Sequence, residues 1–295
     1  MSAVREAGEL ARRVLRHKGA QLAAGYLAAV SLAAIFVAQL GFDPLRQDII
    51  RALEGPSREY LFGTDELGRD ILARVIFGAR TSLVTAAGAV SLAALIGVPM
   101  GLMAGFLGGW RDAVLMRIVD FMLALPGILF AMALIAVLGR SQMAALVAVG
   151  LTGIPAFARV TRAQVLSQRQ RDFVTAVEGF GASAAYIMFR TILPNSWSPI
   201  LVQVVVLSSI AILLEAALAF LGVGIPPPTP SWGEMLRTGK EYLHDSPTYA
   251  ILPGLALTLT ILSFDTIGRT LSRCIGDRND TGTIAALAGT PGARP

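Results

Sequence analysis

The sequence has very few of the side chains that build metal, disulfide and nucleotide sites. Its 295 residues include one Cys and two His, which excludes an internal disulfide framework and a multi-histidine metal centre. The two Lys residues, Lys18 and Lys240, both lie outside any Gly-rich loop that ends in Gly-Lys-Ser/Thr. We therefore expect the chain to bind no metal and no cofactor of its own.

Charged residues are also scarce. They make up 15% of the chain against 54% hydrophobic residues, and the mean hydropathy is +0.63. A typical soluble domain has about 25% charged residues. Too few polar side chains remain to cover a globular surface, which excludes a disordered chain, a collagen-like repeat and an ordinary cytosolic enzyme. The composition predicts an integral membrane protein.

Long apolar stretches predict an all-α membrane protein with six transmembrane helices. Each stretch has about the 20 residues that a helix needs to cross the bilayer core, and none shows the alternation of a β-barrel strand. The first is too long for a cleaved signal peptide, so we interpret it as an anchor helix. The expected spans are Ala20–Leu40, part of Ser82–Gly109, roughly Ala113–Leu138, Ser141–Leu166, Ser198–Gly222 and Thr248–Thr270.

The distribution of Lys and Arg predicts the orientation. They are concentrated in both termini, in the turn between spans two and three and in the connection between spans four and five, so these parts are expected on the cytoplasmic side. The tail is rich in Gly, Thr and Ala and is expected to be disordered. The predicted organisation is a cytoplasmic segment (1–19), the first helix (20–40), an extracytoplasmic segment (41–81), a five-helix core (82–270) with a cytoplasmic segment (167–196) and an outer loop (223–247), and a cytoplasmic tail (271–295).

Three carboxylates fall within the predicted spans. Because a charge at mid-membrane costs about 2.5–3.5 kcal/mol on insertion scales, such residues usually face protein or water. Asp120 follows Arg117 by three residues, and Asp265 precedes Arg269 by four, spacings that favour ion pairs along one helix. Glu215 has no such neighbour: it either faces a path or gate, or accepts a hydrogen bond from another helix. We keep Asp120 and Glu215 as candidate path or gate residues.

The connection between spans four and five is too polar to cross the membrane and too apolar for a solvated loop. Phe173, Val177 and Phe180 recur at near-helical spacing. Asp172 is expected to cap this first helix, and Gly181 to allow a tight or left-handed turn. A second short helix is expected over 184–192, leading to Pro194. The pattern predicts two helices along the cytoplasmic face whose exposed apolar residues need a partner.

This connection resembles the EAA loop of permease subunits of bacterial ABC importers. The matching residues are Ala176, Gly181 and Leu193-Pro194, while Thr175, Val177 and Thr191 depart from the family pattern. The resemblance implies that the segment couples the membrane helices to cytoplasmic ATPases. The residues that it implicates are Asp172, Phe173, Thr175, Ala176, Val177, Glu178, Gly181, Ala182, Leu193 and Pro194.

Three further segments are similar to signatures of the C-type permease subunit in the dipeptide/oligopeptide/nickel family. They are 63–83, 101–120 and 214–233. The resemblance implies the six-helix fold of a type I importer permease in the bacterial inner membrane, with both termini cytoplasmic.

The same resemblance implies a transport subunit rather than an enzyme. Its partners would be a second, homologous permease subunit, two cytoplasmic ATPases that use ATP and Mg, and an extracytoplasmic substrate-binding protein, with no nucleic acid. The expected cargo is a dipeptide or oligopeptide. An ion-coupled secondary transporter that uses the intramembrane carboxylates is the main alternative, although it usually shows an internal repeat that this sequence lacks.

Four outer residues are candidate contacts for the binding protein: Asp65, Arg69, Asp70 and Trp232. Two interpretations remain open for them. They either build a capped interfacial helix with a local Asp–Arg pair and an aromatic anchor, or they dock the partner.

Overall fold

A computed structural model describes residues 8, 10, 12–37, 41 and 43–288, with side chains as far as Ile275. These residues form helices joined by loops, together with one isolated β-bridge. Five of the helices are long and apolar enough to cross a membrane, and the number rises to six if a bent pair of helices is counted as one span. The main helices are α1 (Lys18–Phe36), α2 (Ile71–Leu107), α3 (Gly109–Leu123), α4 (Gly127–Leu138), α5 (Gln142–Arg169), α6 (Asp172–Gly179), α7 (Trp197–Phe220), α8 (Trp232–Gly239) and α9 (Thr248–Ala288).

The helix that contains the second predicted span begins before that span. The expected extracytoplasmic segment runs to residue 81, but α2 already begins at Ile71. The predicted span includes only the stretch without charged residues, which starts after Arg80. Arg74 is nevertheless accommodated, because its side chain is buried in ion pairs. For the first span, α1 ends at Phe36, and residues 38–40 lie outside the described residues.

The third span is not the single helix expected over 113–138. The chain forms α3 and α4 at an angle of 88° to each other. Pro126 occupies the N-cap position of α4. Proline has no backbone N–H and its ring clashes with a preceding helical turn, so a continuous helix breaks at this point.

The last helix extends far beyond the predicted sixth span. α9 runs from Thr248 to Ala288, so the chain is helical over 271–288, where the sequence analysis expected a disordered tail. A helix that is already nucleated adds residues readily, and residues 285–288 at its end are three Ala and one Leu, which have high helix propensity. Residues 289–295 lie outside the described residues.

A line of glycines lets α2 and α5 pack at backbone distance. A Cβ at Gly101 would lie 2.3 Å from the carbonyl oxygen of Ala158, and one at Gly97 would lie 2.7 Å from that of Ile154. Small residues at four-residue spacing are typical of such close helix pairs in membranes. The pair forms the centre of the bundle, against which α7 packs.

Candidate functional site

The cytoplasmic connection begins with α6. Its N-cap is Arg171, whose side chain makes no capping hydrogen bond. Asp172 was expected to be this cap but is the first helical residue instead, because the extended backbone conformation falls one residue earlier. A carboxylate in the first turn still stabilises the positive end of the helix.

Gly181 turns the chain at the end of α6. Its φ is +79°, a left-handed conformation that glycine adopts without strain. The Gly181 N–H donates to the carbonyl oxygen of Glu178 at 2.9 Å, and the Ala182 N–H to that of Val177 at 3.4 Å. A Cβ at Gly181 would meet no described atom within 4 Å, so the demand for glycine is conformational and not steric.

The second half of the connection is helical throughout but not uniform. It consists of a short α-helical turn (Ala184–Tyr186), a π-helical stretch (Ile187–Ile192) and a last turn (Leu193–Asn195). The Ser183 hydroxyl oxygen accepts the Tyr186 N–H at 3.3 Å and caps the start. This half leads directly into α7.

One face of the connection is attached to the membrane helices. Val174, Ile187 and Ile192 are buried against Leu102 of α2 and Val165 of α5. The inner ends of two long helices therefore fix the position of the connection.

The connection also exposes aromatic side chains, and we call this exposed set the docking face after the role that we propose for it below. It comprises Phe173, Phe180, Tyr186 and Phe189. Phe180 has 91% of its surface exposed, although burying a side chain of this kind is worth about 1.5–3 kcal/mol. Of the ten residues that the resemblance implicates, the structure exposes seven and half-buries three. The exposed ones are Asp172, Phe173, Thr175, Ala176, Glu178, Gly181 and Pro194, and the half-buried ones are Val177, Ala182 and Leu193. Phe180 belonged to the predicted apolar spacing, but Tyr186 and Phe189 were missed because the family pattern does not include them.

On the outer side, the structure buries three of the four candidate contacts. Asp65 and Arg69 form an ion pair with a Nε–Oδ2 distance of 2.6 Å, and both are buried. Trp232 is also buried, and its Nε1–H donates to the carbonyl oxygen of Val75 at 3.0 Å. The structure therefore contains the local Asp–Arg pair and places Trp232 inside the fold, and these three side chains are not exposed to a partner in this structure.

The fourth candidate, Asp70, is the N-cap of α2. Its carboxylate accepts the backbone N–H of Leu72 at 2.8 Å and that of Ala73 at 3.4 Å. Partial burial raises the pKa of Asp70, and the two backbone hydrogen bonds oppose that shift. This residue fixes the point at which the second membrane helix begins.

A buried ion-pair network that the sequence analysis missed joins the outer elements. The Arg74 guanidinium lies between two carboxylates, with Nε 3.2 Å from Asp65 and Nη2 3.3 Å from Glu234 of α8. Its Nη1 also donates to the carbonyl oxygen of Pro44 at 3.4 Å. One side chain of α2 therefore holds both the outer segment and α8.

Two isoleucines at the outer surface are strongly exposed. Ile49 and Ile50 belong to a 3₁₀ turn (Ile49–Arg51), and Ile50 is 97% exposed. Arg51 forms an ion pair with Glu59 and lies over the ring of Tyr60, and the next residue in the chain, Leu61, is also exposed. Two adjacent isoleucines in a polar segment are a signal that the sequence analysis did not use.

The two candidate path residues have contrasting surroundings. Asp120 pairs with Arg159 of α5 at 2.8 Å, so the expected pair with Arg117 is corrected. The cause is that α3 lies against α5, and a cation on the neighbouring helix replaces the one on its own helix. Both side chains are half-exposed. Glu215, in contrast, is buried beside the start of α8. The expected pair of Asp265 with Arg269 is confirmed.

Comparisons with known proteins agree with this arrangement. The family described as the binding-protein-dependent transport system inner membrane component matches residues 97–276. The chain is 43% identical over 216 residues to the dipeptide transport system permease protein DppC of Alkalihalophilus pseudofirmus, covering 73% of this chain and 71% of that protein. It is 40% identical over 263 residues to the glutathione transport system permease protein GsiD of Pectobacterium atrosepticum, covering 88% and 87%.

A solved structure shows the same fold. It is a chain of the MetNI methionine ABC transporter in an inward-facing conformation, with a TM-score of 0.53 at 17% identity. The match covers 68% of this chain and 97% of the solved one. Together, the fold, the exposed cytoplasmic connection and the sequence relatives show that the chain belongs to the family of inner-membrane components of binding-protein-dependent transport systems, and is a permease subunit of an ATP-driven ABC importer.

Proposed function

We propose that the cargo of this importer is a short peptide. The observation that carries the proposal is the identity of about 40% or more with permeases named for dipeptide, di/tripeptide and glutathione transport. These names share one chemistry, a peptide of two or three residues. In the proposed complex this chain forms one membrane half and does no bond chemistry.

We assign the proposed partners to the cytoplasmic side and the outer side of the chain. Two cytoplasmic ATPases, which use ATP and Mg, bind the docking face. A second, homologous permease subunit completes the path, and a substrate-binding protein delivers the peptide from outside. The complex lies in the cytoplasmic membrane of a bacterium.

Transport proceeds by alternating access. When the ATPases close on ATP, they move the connection 167–196, and the attached membrane helices open the path outward. Hydrolysis then resets the inward-open state. The half-exposed pair of Asp120 and Arg159, which joins α3 to α5, supports a proposed path beside these helices, because charges within a span need water or protein beside them.

Uptake into proteoliposomes tests the energy source and the cargo together. The assembled complex with its binding protein is expected to accumulate a radiolabelled dipeptide when ATP is enclosed, and to accumulate none with a proton or sodium gradient alone. Accumulation driven by a gradient alone would support the ion-coupled alternative. ATP-driven uptake of nickel but not of dipeptide would keep the importer and overturn the peptide cargo.

The outer contact with the binding protein is proposed at Ile49, Ile50 and Leu61, with the buried Arg74 network as its support. Ile50→Asp is expected to reduce stimulation of ATP hydrolysis by the binding protein about tenfold, because an exposed apolar anchor can carry 1–2 kcal/mol of an interface. Hydrolysis is measured with and without saturating binding protein. Co-purification of the ATPases should not change, and full stimulation of the variant would remove this surface from the contact.

A further inference from the structure

One continuous helix connects the two functional faces of the chain. α7 runs from Trp197 to Phe220, which is about 36 Å at 1.5 Å per residue. It starts two residues after the last turn of the cytoplasmic connection (Leu193–Asn195) and ends at the outer side. A displacement of the connection therefore reaches the outer side along a single helix.

Near its outer end, α7 carries a carboxylate that has no place in the transport cycle described above. Glu215 is 1% exposed, and neither of its oxygens has a hydrogen-bond partner of normal geometry among the described residues. The side chains that face the carboxyl group are Ser82 of α2 and Ser231, the N-cap of α8. Burying an ionisable group without hydrogen-bond partners costs free energy. The two serine hydroxyls are the groups beside Glu215 that could lower this cost.

Each of the two serine oxygens already accepts a backbone hydrogen. Ser231 Oγ accepts the N–H of Glu234 at 3.3 Å, and Ser82 Oγ accepts that of Trp232 at 3.4 Å. Each hydroxyl therefore keeps one hydrogen that it can donate, while both oxygens of the neighbouring Glu215 lack a hydrogen bond in this structure. The first turn of α8, which carries a positive partial charge, is organised by the same two serines.

Backbone packing holds α8 close to α7 at this point. A Cβ at Gly233 would lie 2.5 Å from the carbonyl oxygen of Ala216 and 2.8 Å from the Cβ of Ala219. At the other end of α8, the Lys240 ammonium lies 4.8 Å from the ring centre of Phe220. The two helices therefore meet at both ends of α8.

We propose that Glu215 is a positioning residue that locks α8 to α7, so that both move as one body and the outer face follows the displacement of the cytoplasmic connection. The proposal rests on the proposed transport cycle. It assigns Glu215 to the transmission of movement and not to contact with cargo.

Distance measurements on the assembled complex test the lock directly. Spin labels are placed on α7 at Leu213→Cys and just after α8 at Glu241→Cys, in a Cys274→Ser background. The distance distribution is expected to coincide in the nucleotide-free and ATP-bound states. A mean distance that shifts by more than the width of the distribution on ATP binding would show that α8 moves independently of α7, and would overturn the proposal.

Substitutions at the lock separate transmission from folding. Glu215→Leu is expected to broaden the distribution and to lower peptide uptake about tenfold, because the buried carboxyl group beside the start of α8 is lost, while ATP hydrolysis continues. Glu215→Gln, whose amide oxygen still accepts a hydroxyl, should retain part of the uptake. Ser209→Ala is the matched control, since its hydroxyl on the same helix donates only to the carbonyl oxygen of Val206.

The remaining outcomes are also decisive. If Glu215→Leu does not assemble, Ser231→Ala removes the contact from the other side and should give the same broadening. Unchanged distance and unchanged uptake in the assembled variants would overturn the lock. Failure of the native complex to take up any peptide with ATP would instead overturn the proposed cargo, while the native distance measurement would still decide on the lock.

Discussion

Arg74→Met is expected to loosen the whole outer part of the chain. The substitution removes the cation between Asp65 and Glu234, whose carboxylates would then remain buried without this partner. Breaking a buried ion pair from one side costs about 3–5 kcal/mol. For a chain of this size, that corresponds to a fall of about 10 °C in the thermal midpoint, measured on the detergent-purified complex. Protease sensitivity between residues 43 and 70 should rise as well.

Arg51→Met provides the matched control for this prediction. Arg51 also lies within 4 Å of three carboxylates, but its side chain is 39% exposed. Exposed pairs contribute little to stability because water already solvates both charges, so the midpoint should hardly move. Combining Arg74→Met with Glu234→Leu should recover part of the loss, because a buried carboxylate is removed together with its partner. If Arg74→Met and Arg51→Met lowered the thermal midpoint equally, burial would not explain the importance of the Arg74 ion pairs.

Local patterns in the sequence predicted those features that depend on neighbouring residues. The four-residue spacing of Asp265 and Arg269 gave a correct ion pair, and the position of Gly181 between two helical patterns gave a correct left-handed turn. In both cases the interacting groups lie within one turn of each other. Helix geometry therefore specifies the contact without knowledge of the fold.

Contacts between distant segments could not be predicted in the same way. Arg74 and Glu234 are 160 residues apart, and nothing in either local sequence indicates the other. The same limit explains the error at Asp120, where Arg117 is closer in sequence but Arg159 is closer in space. It also explains why Asp65, Arg69 and Trp232 were candidate contacts for a partner. The sequence shows that charged and aromatic residues lie near the membrane surface, but their burial depends on segments that are distant in the chain.

Phe180→Asp is expected to separate the permease from its ATPases. Phe180 is the most exposed side chain of the docking face, and an aromatic anchor of this kind can contribute 2 kcal/mol or more to an interface. A carboxylate at the same position adds a desolvation penalty when a partner covers it. Co-purification of the ATPases in mild detergent should therefore fall more than tenfold, while insertion of the chain is retained because the side chain supports no internal contact of the fold.

Ile50→Asp is the matched control for Phe180→Asp. It places the same charge at a side chain of comparable exposure on the opposite side of the membrane, and it should retain the ATPases while losing stimulation by the binding protein. Phe180→Asp should show the reverse pattern, with binding-protein contact preserved. If both variants retain the ATPases, the docking face does not hold them. If both lose them, the substitutions act through folding, and the assignment of the two surfaces to two different partners is wrong.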